Sequence, residues 1–412
     1  MVEQQRVRVG SDALQRLVEA LAAQLGRAVV VDDPLVRLVC SSQHFGDADP
    51  VRIHSLLQGR AADEIIRYVL DQGVTQWQKP GFIDGRDDIG LLTRYCVPLR
   101  ERGHLVGLLM VVAPDGTLAP DETATITQAV PAIAAQMYAD QLAAGTERTD
   151  VQEILLALVD DSQVARASAR QRILTEGLLP DAPHVVVSVV QLSPSLEPPG
   201  QLEMALRGSL ERFCRSRSAT GIMAVTPESA ILLQCYTRPV GESELADQAT
   251  SILETLCTYL DASTAPVVGV GGVQDSLADA RTSYDEALVA ARAARRMPHL
   301  KNMASYETLG ELAVLLRLPD EALNASLLPK PVRILLNSPV GQRLEDTLRC
   351  FLENAGSIPR TAEALGIHRT SLYYRLRQVQ EITGLDLDNG GDRLVLHLGL
   401  RIRALLEPGS IS

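Results

Sequence analysis

Aromatic side chains are scarce: 9 Tyr, 4 Phe and a single Trp make up 3% of the 412 residues. That excludes the broad stacking platform on which single-stranded nucleic acid is bound. Lysine is nearly absent, only Lys79, Lys301 and Lys330 standing among 39 basic residues, and 51 acidic residues bring the net charge to -12. The whole-molecule field repels phosphate, so any nucleic-acid site must be local. Cys40, Cys96, Cys214, Cys235, Cys257 and Cys350 form no C-x-x-C pair, which argues against zinc and against a disulfide framework. The seven histidines are scattered, with no H-x-x-x-H. There is no P-loop and no G-x-S-x-G elbow, and the glycines at 269, 271 and 272 do not complete a G-x-G-x-x-G. No catalytic residue, metal or cofactor is expected. Apolar stretches such as Val185 to Val190 fall far short of the roughly 20 residues that span a bilayer. The opening MVEQQRVRVGSDALQ lacks the apolar core of a secretion signal. A cytoplasmic chain with no membrane partner is the expectation.

What is present is a folded, multi-domain composition. Hydrophobic residues make up 46%, Gly and Pro together are modest at 29 and 22, and 412 residues at roughly 150 per domain give two or three domains. The first segment opens with Leu14, Leu17, Val18, Leu21 and Leu25 at helical spacing. Residues 28–32 and 36–40 then read as a hairpin about Asp33-Pro34, and residues 95–99 and 104–112 as a second one across Glu101-Arg102-Gly103. Helices are predicted around 61–70 and from Thr123 to about Leu142. After a polar break, AAGTERTD, a helical linker follows, which either pairs with its twin in a dimer or packs on the next domain.

From 175 to 300 the pattern is strand, helix, hairpin, helix, strand, helix, an α+β order. Residues 301–340 read as a short helical connector cornered by prolines. The last segment speaks most clearly. Helices are predicted at 344–352, from 357 or 359 to Leu365, and from His368 or Arg369 onward, with Gly366 in the turn between the last two. Leu372, Leu376 and Val379 form an inner stripe on the third. Arg369, Thr370, Ser371, Tyr373, Tyr374, Arg375 and Arg377 crowd its other positions, with no acid between Glu363 and Glu381. A short helix, a glycine turn and a second helix opening on polar donors are what a helix-turn-helix needs to read the major groove. Arg369 suits guanine, Thr370 or Ser371 suits a base edge or phosphate, and Arg375 and Arg377 suit the backbone. Tyr373 and Tyr374 reach phosphate unless one faces the core. Residues 341–408 hold nine basic and nine acidic residues, so one copy binds weakly. A homodimer or higher even oligomer on an inverted repeat of double-stranded DNA is therefore expected.

These patterns carry a resemblance. LQRLVEALAAQLGRAVVVDDPLVRLVCSS with YCVPLRERGHLVGLLMVV resembles a GAF domain, which implies a small-molecule effector site; His44, Phe45, Trp77 and Tyr95 are the candidate lining. VVGVGGVQDSLADARTSYDEALVAARAARR resembles the degenerate cyclase-like, ferredoxin-like domain of PucR/CdaR regulators. The region where an active diguanylate cyclase needs Gly-Gly-Asp/Glu-Glu-Phe reads TPESAILLQC, with Glu228 as its one carboxylate. The segment from Leu344 to Leu406 is similar to the PucR/CdaR terminal helix-turn-helix. The implied layout is multi-domain α+β: a GAF-like N-terminal domain (1–145), a linker (146–174), a degenerate GGDEF-like domain (175–300), a connector (301–340) and an all-α helix-turn-helix (341–412). The implied function is an effector-responsive, sequence-specific transcriptional regulator. A nucleotide-processing enzyme using the cyclase-like domain and a protein-interaction scaffold are the alternatives. Cys40 and Cys96, expected close across the sheet, are weighed as a redox switch.

Overall fold

The computed structural model describes residues 11–43, 61–194, 199–214, 219–319 and 321–406. Two compact units emerge. The first comprises Met1–Asp181, Leu192–Thr237 and Ser251–Pro266; the second comprises Ala182–Gln191, Arg238–Thr250 and Val267–Ser412.

In the first unit, helix α1 (Asp12–Leu25) starts at Ser11, whose hydroxyl accepts from the Leu14 N–H, and stops at Gly26 with φ of 63°. Strands β1 (Val29–Asp32) and β2 (Leu38–Ser41), helix α2 (Asp63–Asp71), and strands β3 (Gly81–Ile83), β4 (Arg94–Glu101) and β5 (His104–Val112) follow. They make an antiparallel sheet of order β2-β1-β5-β4-β3. Leu14, Val18 and Leu21 pack one face of it, with Ile126, Ile133 and Met137 from helix α3 (Pro120–Leu158). At the start of α3, Glu122 accepts from the Ala119 N–H at 2.7 Å and from Arg27 Nε at 2.7 Å.

Helix α3 runs unbroken for 39 residues, about 58 Å at 1.5 Å per residue. It crosses the AAGTERTD stretch, where the sequence predicts a break. Ala, Glu and Arg there are good helix formers, and the lone Gly145 costs only about 1 kcal/mol. Helix α4 (Gln163–Thr175) then packs back on α3.

The middle region continues as β6 (His184–Gln191), α5 (Pro199–Cys214), β7 (Ala219–Val225), β8 (Ser229–Tyr236), α6 (Glu242–Tyr259), β9 (Val267–Val270) and α7 (Ala280–Arg296), the order predicted. A further strand, β10 (Met303–Ser305), pairs parallel with β9. At three residues each, β3 and β10 are too short for an alternating pattern to show.

Gly269 and Gly271 lie where α7 meets the sheet. A Cβ on Gly269 would stand 2.1 Å from the Ala287 carbonyl oxygen, and one on Gly271 would stand 2.0 Å from that of Ser283. Close helix–sheet packing, rather than a tight turn, is what requires glycine here.

In the second unit, α8 (Leu312–Leu315) and α9 (Lys330–Leu336) lead into α10 (Gly341–Glu353), α11 (Ile358–Ala364), α12 (Arg369–Thr383) and α13 (Gly390–Leu406). One continuous apolar core runs from Ala290 and Ala294 of α7 through Leu316, Val332 and Leu335 to Leu348, Leu376 and Leu400. The segment from 301 to 340 contributes Ala304, Leu309, Ala313, Leu316, Val332 and Leu335 to that core. A Cβ on Gly399 would stand 2.5 Å from Val332 Cγ2, so α13 lies tight on α9. No helix among the described residues is long and apolar enough to cross a membrane.

The expected closeness of Cys40 and Cys96 is corrected by register. Cys40 faces Val31, and the column continues through Leu109 to Val97, so the neighbouring Cys96 points to the opposite face. The two also sit three strand spacings apart, roughly 14 Å. Burial pushes both thiols up to about 12. They are unsuited to a switch.

Candidate DNA-binding surface

The terminal helices form a reader built on a buried stripe. Leu372, Leu376 and Val379 of α12 face Leu344, Leu348 and Phe351 of α10, with Ala362 of α11 closing the corner. The turn from α11 is fixed by Gly366 at φ of 61°, and the Ile367 N–H donates to the Ala362 carbonyl at 3.0 Å. His368, which the sequence offers with Arg369 as the start of this helix, is its cap: its Nδ1 accepts from the Thr370 N–H at 3.3 Å and lies 3.0 Å from Thr370 Oγ1. The signal was a polar residue directly before the periodic stripe. At the far end Gly384 stops the helix at φ of 71°.

This frame leaves the first two turns of α12 in solvent. Arg369, Thr370, Ser371 and Arg377 are exposed, and Tyr373 and Tyr374 stand out at 58% and 63% exposure, which settles that neither faces the core. Six of the seven predicted residues share that exposure. Arg375 differs: it is half-buried, and its Nη1 donates to Thr347 Oγ1 at 3.2 Å. It locks α12 onto α10 as well as carrying charge.

Two family models match. The "PucR C-terminal helix-turn-helix domain" covers residues 344–402, and the "GGDEF-like domain" covers 160–293. Residues 160–293 and 344–402 carry the two domains of a PucR/CdaR-type regulator. The chain is an effector-responsive, sequence-specific DNA-binding transcriptional regulator. The DNA-binding transcriptional activator AdeR of Bacillus subtilis is 19% identical over 95% of this chain and 93% of its own length. The proline-responsive transcriptional activator PutR of the same organism is 20% identical over 94% and 96%. The carbohydrate diacid regulator of Escherichia coli is 37% identical over 78 residues, 19% of this chain and 20% of that one.

In this PucR-type regulator the GGDEF-like hairpin is closed by side chains. Thr226 Oγ1 accepts from the Ser229 N–H at 3.1 Å across the β7–β8 turn, where cyclase chemistry needs a glycine pair and acidic ligands. The two relatives matched over most of their length, AdeR and PutR, are both named transcriptional activators.

The predicted effector lining does not assemble as expected. His44 and Phe45 lie outside the described residues. Tyr95 packs on the α1/α3 side of the sheet and against Phe82, ring centroids 5.0 Å apart. Trp77 lies over Gly81, which pairs with Cys96 and so belongs to the other face. Trp77 and Tyr95 therefore cannot line one cavity. Trp77 Nε1 donates to the Gln72 carbonyl at 3.1 Å, holding the ring over the sheet.

Register puts two charged side chains that the sequence reading missed on the Trp77 face: Asp32 and Arg94, each 6% exposed. Burial pushes the Asp32 carboxyl up to about 7 despite the nearby Arg94 guanidinium. The sequence places Asp32 at the end of the strand 28–32, but nothing local to that strand shows that the acid is buried near Arg94, 62 residues further on.

Proposed function

We propose that α12 enters the major groove of an operator. In this reading Arg369 reads a base, Thr370 and Ser371 contact a base edge or phosphate, and Tyr373, Tyr374, Arg375 and Arg377 contact the backbone. The observation that carries it is the polar, basic opening of α12, exposed except at Arg375 on a frame whose inner stripe is buried. The terminal module from about 341 onward acts as a pair on an inverted repeat, half-sites about 34 Å apart. Leu142 and Leu156 on α3 support pairing: both are exposed and stand two heptads apart, on one side of the helix. The N-terminal domain holds the effector on its Trp77 face, and α3 carries the signal toward the GGDEF-like domain. Both full-length relatives are named activators, and activation is the direction proposed here. A regulator of this kind works beside DNA, in the cytoplasm.

Selection from random duplexes tests this, with the full chain beside Arg369→Ala at two salt concentrations. An inverted repeat relaxed at one position in the variant, at a cost of about 1–3 kcal/mol, supports base reading. Identical motifs from both proteins would remove Arg369 from that role.

A further inference from the structure

The second unit carries a cleft of about 400 Å³ beside β9, walled by Gly272, Gln274, Glu286, Tyr306, Glu307 and Val314. Its size falls in the range of small-molecule sites. Glu286, on α7, is half-buried, and its Oε2 accepts from the Gly272 N–H at 3.0 Å and from Gln274 Nε2 at 3.2 Å. These bonds hold the carboxylate at the wall. Gly272 leaves it room, since a Cβ there would stand 2.8 Å from that oxygen. Burial raises the Glu286 pKa, and the Gly272 N–H, then Arg317, offset this only in part. Arg317 is itself engaged, with Nη2 donating to the Tyr306 hydroxyl at 3.0 Å and the guanidinium over that ring at 5.6 Å. Glu307 adds a second carboxylate, while Ala313 and Val314 give an apolar side. Carboxylates beside an apolar wall suit a cation with a hydrocarbon tail and reject an anion.

The same wall leads to the reader. Residues 306–314 include Glu311, which pairs with Arg401 of α13 at 2.9 Å, and Leu316 just beyond lies in the core shared with α10 and α12.

We propose that this cleft binds a small organic ammonium ion through Glu286 and Glu307, and that its occupancy is coupled to DNA binding through the 306–316 segment. The site is separate from the Trp77 face, and its occupancy is measured without DNA, so it stands or falls independently of operator reading.

The test titrates the DNA-free full chain with n-butylammonium chloride, followed by saturation-transfer NMR, with sodium butyrate as the anionic counterpart. Expected results are binding of the amine and not of butyrate, and a loss of tenfold or more in Glu286→Gln. Val314→Arg, at an exposed rim position, places a guanidinium against the carboxylates and abolishes binding; unchanged melting of both variants shows that they fold. Absence of amine binding, equal binding of butyrate, or unaltered affinity in both variants overturns the site. Coupling requires DNA to change amine affinity by the factor by which the amine changes DNA affinity. A factor of one in both directions overturns the coupling.

Discussion

Arg401 of α13 holds Glu311, 2.9 Å away across the gap between the reader and the segment that precedes it. Glu353 of α10 flanks the same guanidinium at 3.5 Å. The carboxylates are partly exposed, so Arg401→Ala costs about 1 kcal/mol or less in a denaturant melt. A second effect accompanies it. Burial lowers the His397 pKa and Arg401 lowers it further, so the variant moves His397 upward in an NMR titration. An unmoved His397 would mean that the guanidinium exerts no field there.

Arg375 and Arg377 separate structure from binding. Arg375→Ala loses the bond to Thr347 Oγ1 and costs about 1 kcal/mol of stability in addition to DNA affinity. Arg377→Ala leaves melting unchanged, weakens binding evenly across sequences and reduces the salt slope by about one. Equal melting of the two variants would place Arg375 in solvent.

Gly269→Ala drives a methyl group into the backbone of α7, 2.1 Å from the Ala287 carbonyl oxygen and 2.3 Å from the Ala291 nitrogen. Neither atom belongs to a flexible side chain that can turn aside. A loss of roughly 3 kcal/mol is expected from overpacking, read as a lowered melting temperature. Gly26→Ala is a different case, open in space but strained by its φ of 63°, and costs about 1 kcal/mol.

Asp32 gives the N-terminal domain a pH dependence of definite sign. Its carboxyl titrates near 7 when folded and near 3.8 when unfolded, so between those values the folded chain holds the extra proton. Its contribution to stability is complete below about 4 and is lost as pH rises through 7. Asp32→Asn removes this slope, and its melting temperature exceeds that of the native chain at pH 8 by roughly 3 °C or more. Parallel curves for the two proteins across pH 4–8 would refute the assignment.

The reader was legible in sequence because its signals are local: the Leu372/Leu376/Val379 stripe, Gly366 in the turn, and an acid-free run between Glu363 and Glu381. The middle domain's element order was legible for the same reason, each element being long enough to show its period. Tertiary structure decided what depends on partners distant in the chain. Register across four strands separated Cys40 from Cys96 and Trp77 from Tyr95, because one residue's shift reverses the face of the sheet. Packing turned Arg375 toward Thr347, made Gly269 a contact point for α7, and brought Glu286 beside Tyr306. Spacing along the chain encodes the period of a helix or strand, whereas the identity of the surface it meets is set only when the whole core closes.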